Sequence, residues 1–271
     1  MLELIETEYD WTRADPYPPE QFFALLDRIV ERNFYGLIHP LSLRMLRGEL
    51  TAADLRFIAA QEYHYYWGTT FWNAFKVANS DTLHQQRRLH GPLLEELGTD
   101  LLDKEGLPAH IELFLRYCEG IGLCRDEVRA GAVLPAVLLA VTELMRIASS
   151  RPHYEFIACS NLVAEKMRPV HYQKLLRAMR EHYTFVGHEA LKFYEIHAVL
   201  DEDHVSTGRR IVGEYIHHKR EQDAVMSAVV RSLALRLVMY DGIEAALRGA
   251  ALRALRPWPN FPREPWPRPS T

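Results

Sequence analysis

The segment at residues 39–67 reads HPLSLRMLRGELTAADLRFIAAQEYHYYW and decides the fold class. Thr51 is followed three residues later by Asp54, a spacing that resembles a capping box and predicts the start of a helix. The helical pattern then extends over residues 52–79. The aromatic run from Tyr63 to Trp67 covers most of the circumference of such a helix, so some of these side chains are expected to face a pocket or an interface.

The same helical pattern continues on both sides of this segment. Apolar residues recur at three- and four-residue spacing, and no proline occurs between Pro169 and Pro257. Hairpin signals are nearly absent, because Asp241-Gly242 alone fits one and it lies inside a helical stretch. The expected helices lie near residues 19–33, 39–47, 52–79, 82–97, 109–121, 134–149, 153–166, 171–182, 187–219 and 223–254. The sequence therefore predicts an all-α single domain.

The composition is ordinary for a soluble globular protein and excludes several classes. The chain has 271 residues, of which 48% are hydrophobic and 25% charged, with a net charge of −4 and a pI near 6.4. This balance argues against partners such as nucleic acid or an anionic membrane. The longest apolar stretch, 132–141, is far shorter than the roughly 20 residues of a membrane span. The expected partner is a small-molecule substrate.

The two ends of the chain differ from its middle. Residues 1–18 are predicted as an N-terminal extension, 19–255 as the helical domain and 256–271 as a tail rich in proline and tryptophan. The acidic N-terminus does not resemble a signal peptide, and three cysteines without a CxxC motif fit a reduced cytoplasm. The tail is either a disordered terminus or an arm that lays Trp258 and Trp266 on a neighbouring subunit, and we favour the arm.

The strongest chemical signal is the motif His197-x-x-x-Asp201-x-x-His204. On one continuous helix these offsets put both imidazoles and the carboxylate on the same face. Imidazole and carboxylate donors suit iron, manganese or zinc. The alternative is that the motif is an ordinary solvated polar face. A chain with 13 histidines produces such a pattern by chance in a small share of cases, so this alternative stays open.

A redox metal would need further donors from other helices. Glu165 lies among apolar positions, His110 opens a predicted helix, and Glu95 and Glu96 end one, where carboxylates oppose the helix dipole unless a cation lies nearby. Each of these residues also fits a plainer role, as a surface ion pair or a solvated group. Cys159 fits a nucleophile or, more commonly, a buried helical cysteine.

From about residue 20 to 250 the chain resembles pyrroloquinoline quinone synthase and its relatives, in the superfamily that also contains TenA-like proteins. The HP, RGELT and aromatic-run pattern of residues 39–67 carries the resemblance. It continues in ACSNLVAEKMRPVHYQKLL (158–176) and EALKFYEIHAVL (189–200). The resemblance implies a haem-oxygenase-like helical bundle with a central pocket, and a homodimer.

The candidate site resembles a different group with the same fold. His197 stands where the quinone synthases, which work without metal, have an arginine, and Glu96 stands where they have a histidine. These positions instead resemble the haem-oxygenase-like di-metal oxidases, which include the chlamydial para-aminobenzoate synthases. Their pattern implies a ligand set of Glu96, His110, Glu165, His197, Asp201 and His204, with Glu96 preferred to Glu95.

This second resemblance implies two Fe²⁺ ions per chain, with Mn²⁺ as a competitor and dioxygen as co-substrate. His171 and Lys174 resemble the pocket histidine and arginine of the quinone synthases, the latter conservatively changed. With Tyr63 they are the expected catalytic residues around the metals. Phe193 stands where a tyrosine is expected in an enzyme that consumes a pocket tyrosine.

The resulting hypothesis is a non-haem di-iron oxidase or oxygenase that activates dioxygen to oxidise a small amine or amino-acid-like metabolite. One alternative is a cofactorless oxidase in which His171 and Lys174 act as acid and base. Another is a non-catalytic helical binding protein that keeps the fold with a degenerate site. Measurement of bound metal distinguishes the di-iron hypothesis from the cofactorless oxidase. Measurement of oxygen uptake with a substrate distinguishes it from the non-catalytic binding protein.

Overall fold

The structure is a computed structural model that describes residues 5–99, 106–150, 152–199 and 202–249. Asp201 of the histidine motif and the two tail tryptophans, Trp258 and Trp266, lie outside these ranges. Within them the chain is helical and contains no strand, which confirms the predicted fold class.

The α-helices follow one another around a single core. They are α1 (Pro19–Asn33), α2 (Tyr35–Ile38), α3 (Pro40–Leu46), α4 (Ala52–Ala78), α5 (Leu83–Leu97), α6 (His110–Gly120), α7 (Arg125–Ala130), α8 (Pro135–Ser149), α9 (Tyr154–Ile157), α10 (Lys166–His182), α11 (Lys192–Ala198), α12 (Glu202–Gly213) and α13 (Lys219–Leu247). A π-helical stretch, Ala158–Glu165, joins α9 to α10, and a short 3₁₀-helix, His188–Leu191, precedes α11.

The long helix predicted after Thr51 is confirmed as α4. The Thr51 hydroxyl accepts a hydrogen bond from the Asp54 N–H at 3.2 Å, and the Asp54 carboxylate accepts one from the Thr51 N–H at 2.8 Å. Helices α4 and α13 are the longest, and buried residues surround much of their circumference. They therefore run through the centre of the bundle, and α8 packs against both. Among the described helices, none combines the length and the apolarity needed to cross a bilayer.

The segment before α1 is attached to the bundle. Tyr9 is buried, and its hydroxyl donates a hydrogen bond to the Asp223 carboxylate at 2.8 Å. The Tyr17 N–H donates to the Gln222 side-chain oxygen at 2.8 Å. Both acceptors lie on α13, so the described part of the predicted extension packs against the central helix.

The prediction of one helix over 187–219 is wrong. Helix α11 ends at Ala198, Val199 is extended with φ −83° and ψ 125°, and α12 begins at Glu202. The side-chain amide of Gln173 on α10 donates to the Ala198 carbonyl at 3.0 Å and so satisfies a group at the helix end. His197 and His204 therefore lie on two different helices and do not share one helical face.

The predicted break between residues 166 and 171 is also wrong, because the chain stays helical from Tyr154 to His182. Pro169 lies inside α10, where it lacks the N–H that would bond to the Glu165 carbonyl. The π-helical stretch ends at Glu165, directly before this proline turn. Such widened turns occur frequently at functional sites.

Candidate metal centre

A cavity of about 210 Å³ lies between α5, α6, α10, α11 and α12. Five of the six ligands predicted from sequence line it, and the sixth, Asp201, is outside the described residues. The complete lining consists of Asn73, Pro92, Glu95, Glu96, Thr99, Leu107, His110, Glu165, Arg168, Pro169, Ile196, His197, Val199 and His204.

At one end of the cavity, Glu96, His110 and His197 form a three-residue group that we call the donor trio. One ligand atom from each lies within 4.8 Å of those of the other two. The Glu96 Oε2 atom is 3.3 Å from His110 Nδ1, and the two imidazole rings meet edge to face with centroids 4.6 Å apart. The three residues come from α5, α6 and α11, so tertiary packing alone brings them together.

His197 is held in the state that a metal needs. Its Nδ1 atom is 2.7 Å from the Phe193 carbonyl oxygen, which can only accept, so Nδ1 carries the proton and Nε2 is left as a donor atom. Burial, together with the nearby His110 and Arg168, lowers the pKa of His197 to about 3. The imidazole is therefore neutral at physiological pH.

Glu96 is held in the charged state despite its burial. The Thr69 hydroxyl donates to its Oε2 atom at 3.1 Å. Burial alone would raise the pKa of Glu96, but the neighbouring His110, His197 and Arg168 outweigh this effect and lower it to about 2. The donor trio thus offers one carboxylate and at least one neutral imidazole.

A second group lies around Glu165. Its Oε2 atom is 3.5 Å from His204 Nδ1, and its Oε1 atom is 3.4 Å from the Lys76 ammonium. Lys76 is 1% exposed, and its ammonium also donates to Ser160 Oγ at 3.1 Å and Asn161 Oδ1 at 3.2 Å. Burial alone would raise the pKa of Glu165, but Lys76 and His204 lower it. A buried cation therefore lies beside this half of the cavity, bound to Glu165.

The π-helical stretch positions this second group. Ser160 donates to Glu165 Oε1 at 3.1 Å across five residues, a separation that a widened helix places on one face. The Asn161 side-chain amide donates to the His204 backbone carbonyl at 2.9 Å. Gly208 on α12 allows this close approach, because a Cβ there would lie 2.4 Å from Asn161 Cβ. The stretch therefore fixes both Glu165 and the helix that carries His204.

The residues of the cavity fit a metal ion. His110 Nδ1 and Glu165 Oε2 are buried atoms that complete no hydrogen bond, although Glu96 Oε2 lies 3.3 Å from the first and His204 Nδ1 lies 3.5 Å from the second. A buried polar atom without a partner costs free energy, so both are available for coordination. Carboxylate and imidazole donors suit iron and manganese.

His171 and Lys174, predicted as catalytic residues, do not line the cavity. On α10 the face toward the cavity carries Arg168 and Pro169, and the helix twist turns Lys174 outward, where it is exposed. His171 is buried against Gly36, where an added Cβ would lie 2.5 Å from its Nδ1 atom.

Two other sequence predictions concern α4 and α5. Tyr63 is buried, but its ring packs against His64 and Trp67 and does not reach the cavity. Of the two adjacent carboxylates on α5, Glu96 points into the donor trio. Glu95 is half exposed at the rim, 3.8 Å from His204 Nε2.

Sequence reasoning missed Lys76 and considered Arg168 only as a surface ion-pair partner of Glu165. The position of Lys76 near the end of the buried helix α4 could have indicated a carboxylate nearby, because a buried lysine needs a carboxylate partner. Arg168 follows Glu165 by three residues, a helical spacing that places both on one side. Cys159 is fully buried, and burial raises the pKa of its thiol to about 12, which favours the buried helical cysteine over the nucleophile.

Comparisons with known proteins agree with this architecture. A family model described as iron-containing redox enzyme matches residues 56–237. Pyrroloquinoline-quinone synthase from Cronobacter sakazakii is 26% identical over 229 residues, which cover 84% of this chain and 88% of that protein.

Solved structures resemble the chain at lower identity. A domain of unknown function with a heme oxygenase-like fold from Shewanella denitrificans matches with a TM-score of 0.69 at 18% identity, covering 86% of this chain and 94% of that one. A TenA homologue from Pseudomonas syringae pv. tomato matches with a TM-score of 0.69 at 13% identity, covering 88% and 98%. The shared feature is the haem oxygenase-like fold.

Proposed function

The chain belongs to the family of iron-containing redox enzymes, on a haem oxygenase-like fold, and from this we propose that it is a non-haem di-iron oxidase. It would use dioxygen to oxidise a small amine or amino-acid-like molecule. The donor trio of Glu96, His110 and His197 is the observation that carries this proposal. The likeness to the quinone synthases supports an oxidase-type role in general.

The two halves of the cavity have different roles in this proposal. The donor trio would hold the first metal, since its carboxylate is charged and His197 is neutral before any metal arrives. Glu165 and His204 would hold the second, with Asp201 as their third partner. When bound, ferrous iron would supply the electrons for the reduction of dioxygen.

The chain's own residues supply the surroundings of that chemistry. Phe193 fixes the His197 ring through its carbonyl oxygen, and Thr69 fixes the Glu96 carboxylate through its hydroxyl. The apolar side chains of Leu107 and Ile196 line the cavity, where they would contact the apolar part of a bound substrate.

Iron loading tests the proposal. Metal-free protein would be titrated with ferrous iron under anaerobic conditions, separated from excess metal and analysed for iron before exposure to air. We expect about two iron ions per chain at saturation, the first bound more tightly, and oxygen uptake on aeration. Metal content no higher than trace after loading would refute the proposal.

A metal-independent oxidase is the second candidate, favoured by the likeness to the quinone synthases. It requires an acid and a base at the cavity. Lys174 is exposed and His171 lies outside the lining, so these two residues give it little support. Oxygen consumption that persists after complete removal of metal would favour this candidate.

Lys76 is predicted to weaken the second metal position. A divalent ion between Glu165 and His204 would lie close to the buried ammonium, and like charges at such distances in a protein repel strongly. Lys76→Met keeps the length of the side chain and removes the charge. We expect second-metal affinity to rise at least about 10-fold, and the metal-free protein to melt at a lower temperature because Glu165 loses its counter-charge.

Lys166→Met is the matched control for this variant. Lys166 is the next residue after Glu165, but its ammonium pairs with Asp27 at 2.9 Å and Glu31 at 2.8 Å, away from the cavity. Its loss should leave metal stoichiometry and affinity unchanged. Equal second-metal affinity in the wild type and Lys76→Met, measured by calorimetric titration, would show that the ammonium does not compete with the metal.

A further inference from the structure

Arg168 lines the cavity and acts on Glu96 and Glu165 through its charge, but its guanidinium forms no hydrogen bond with a described residue of the donor trio or the Glu165 group. It lies on α10 one turn after Glu165 and borders the main cavity and the two smaller cavities beside it. Those smaller cavities extend toward Tyr65 on one side and Tyr66 on the other. The guanidinium therefore lies where the space between the two carboxylates opens toward a tyrosine-lined interior.

The carboxylates of the cavity have other partners. Glu96 faces His110 at 3.3 Å, and Glu165 faces Lys76 at 3.4 Å and His204 at 3.5 Å. No described residue forms a hydrogen bond or an ion pair with the Arg168 guanidinium at these distances. A guanidinium has five N–H donors in a planar fork, and in Arg168 they are free for a ligand.

The comparison with Arg236 shows what a purely structural arginine looks like in this chain. The Arg236 guanidinium is buried, donates to Tyr65 Oη at 3.1 Å and to the Ser232 carbonyl at 2.9 Å, and also bonds to the Ser232 hydroxyl. Its donors are used within the protein. Arg168 lines the same small cavity as Tyr65 but forms no such hydrogen bond with a described residue.

The charge of the site also favours an anionic ligand. Glu95, Glu96 and Glu165 supply three negative charges at the cavity, and Lys76 and Arg168 supply two positive ones. The two divalent metals of the proposed site would leave an excess of positive charge near Arg168, even with Asp201 counted as a further carboxylate. An anionic ligand would neutralise that excess, whereas a cationic one would be repelled.

The shape of the cavity limits the ligand to a small molecule with an apolar part. Its volume is about 210 Å³, and Leu107, Ile196 and Pro169 line it beside the charged groups. A carboxylate matches the planar fork of a guanidinium with two parallel hydrogen bonds. An apolar body attached to that carboxylate would contact the three apolar side chains.

We propose that Arg168 is a substrate-binding residue that holds the carboxylate of a small organic acid in this cavity. The proposal rests on the proposed function for the identity of the cavity as an active site, and it narrows the substrate to molecules with a free carboxylate. An amino-acid-like substrate satisfies this requirement, whereas a simple amine does not.

Binding of benzoate and butyrate, each compared with its neutral amide, tests this role. Calorimetric titrations would use wild type, Arg168→Gln and Arg168→Lys, each metal-free and loaded with redox-inert Zn²⁺. We expect both acids to bind more tightly than their amides. Arg168→Gln should weaken acid binding by about 10- to 100-fold, and Arg168→Lys by less, since it keeps the charge but loses the fork.

Arg177→Gln is the matched control, because Arg177 is an exposed arginine on the same helix that borders none of these cavities. It should leave acid binding unchanged, and far-UV circular dichroism would check the folding of each variant. Equal acid affinity in wild type and both Arg168 variants, equal affinity for acid and amide, or no binding of either acid to the wild type would each overturn the proposal.

Zinc content measured on the same samples separates this inference from the proposed function. A wild-type protein that binds acids through Arg168 but takes up no metal would contradict the di-iron proposal and leave the carboxylate site standing. A protein that takes up metal but does not distinguish acids from amides would contradict the role of Arg168 alone.

Discussion

Replacing His197 by glutamine is expected to abolish tight metal binding at the donor trio. The substitution removes the neutral imidazole nitrogen that Phe193 orients toward Glu96 and His110. Changes to groups that merely hydrogen-bond to a metal ligand cost about 10- to 100-fold in affinity, so loss of a ligand should cost at least about 100-fold. The loss of affinity for Zn²⁺ and for Fe²⁺ would be measured by competition titrations against a chromogenic chelator.

The fold should survive this change, because His197 contacts the described apolar core at the Phe193 and Tyr172 rings and most of that core lies elsewhere. His90→Gln is the control, since His90 is exposed on α5, the helix that carries Glu96. Metal affinity in His90→Gln should equal that of the wild type. If His197→Gln also keeps wild-type affinity, the donor trio is not a metal site and the central premise of the proposed function is wrong.

Local signals in the sequence were sufficient to predict the helical fold. The Thr51–Asp54 pair predicts the start of α4 because a capping box acts through hydrogen bonds within three residues. The end of α11 after Ala198 could not be predicted in this way. It depends on a hydrogen bond from Gln173, a residue on another helix, and no glycine or proline marks the break.

Contacts between distant residues also decide how the site is assembled. The spacing of His197 and His204 suggested a metal site through a shared helical face that does not exist, yet both side chains still line one cavity. Packing of separate helices produces that convergence, and sequence spacing does not encode it. The roles of Lys76 and Arg168 were missed for a related reason, because a buried cation is recognised only when the carboxylates around it are known.

The stability of the metal-free protein is expected to fall steeply between neutral pH and about pH 5. Burial lowers the pKa of His64 to about 4, and burial with the Lys174 charge lowers that of His171 to about 4, from an ordinary value of 6.5. His197, at about 3, behaves in the same way. Below about pH 6.5 the unfolded chain binds a proton at each of these histidines, whereas the folded chain does not, so acid favours unfolding.

One group opposes this trend. Burial raises the pKa of Glu62 to about 7, although the hydrogen bond from Tyr240 lowers it. Between about pH 4.5 and 7 the folded chain therefore holds one proton that the unfolded chain has lost, which favours folding as the pH falls. Three histidines against one glutamate leave a net uptake of about two protons on unfolding. The free energy of unfolding should then fall by about 2–3 kcal/mol per pH unit near pH 5.5.

Urea unfolding at about pH 7, 6 and 5 would measure this dependence, and over two pH units the expected loss is about 3 kcal/mol, a large share of the total stability of many domains. His171→Leu should reduce the slope by about one proton, or 1.4 kcal/mol per pH unit, because the unfolded variant no longer gains a charge at this position. His90→Gln should keep the wild-type slope, because His90 is exposed on α5 and is not one of these buried groups. Stability that does not change from pH 7 to 5 would mean that the buried histidines are not held neutral. The orientation inferred for the His197 ring would then lose its electrostatic basis, because a protonated imidazole has no lone pair to offer a metal.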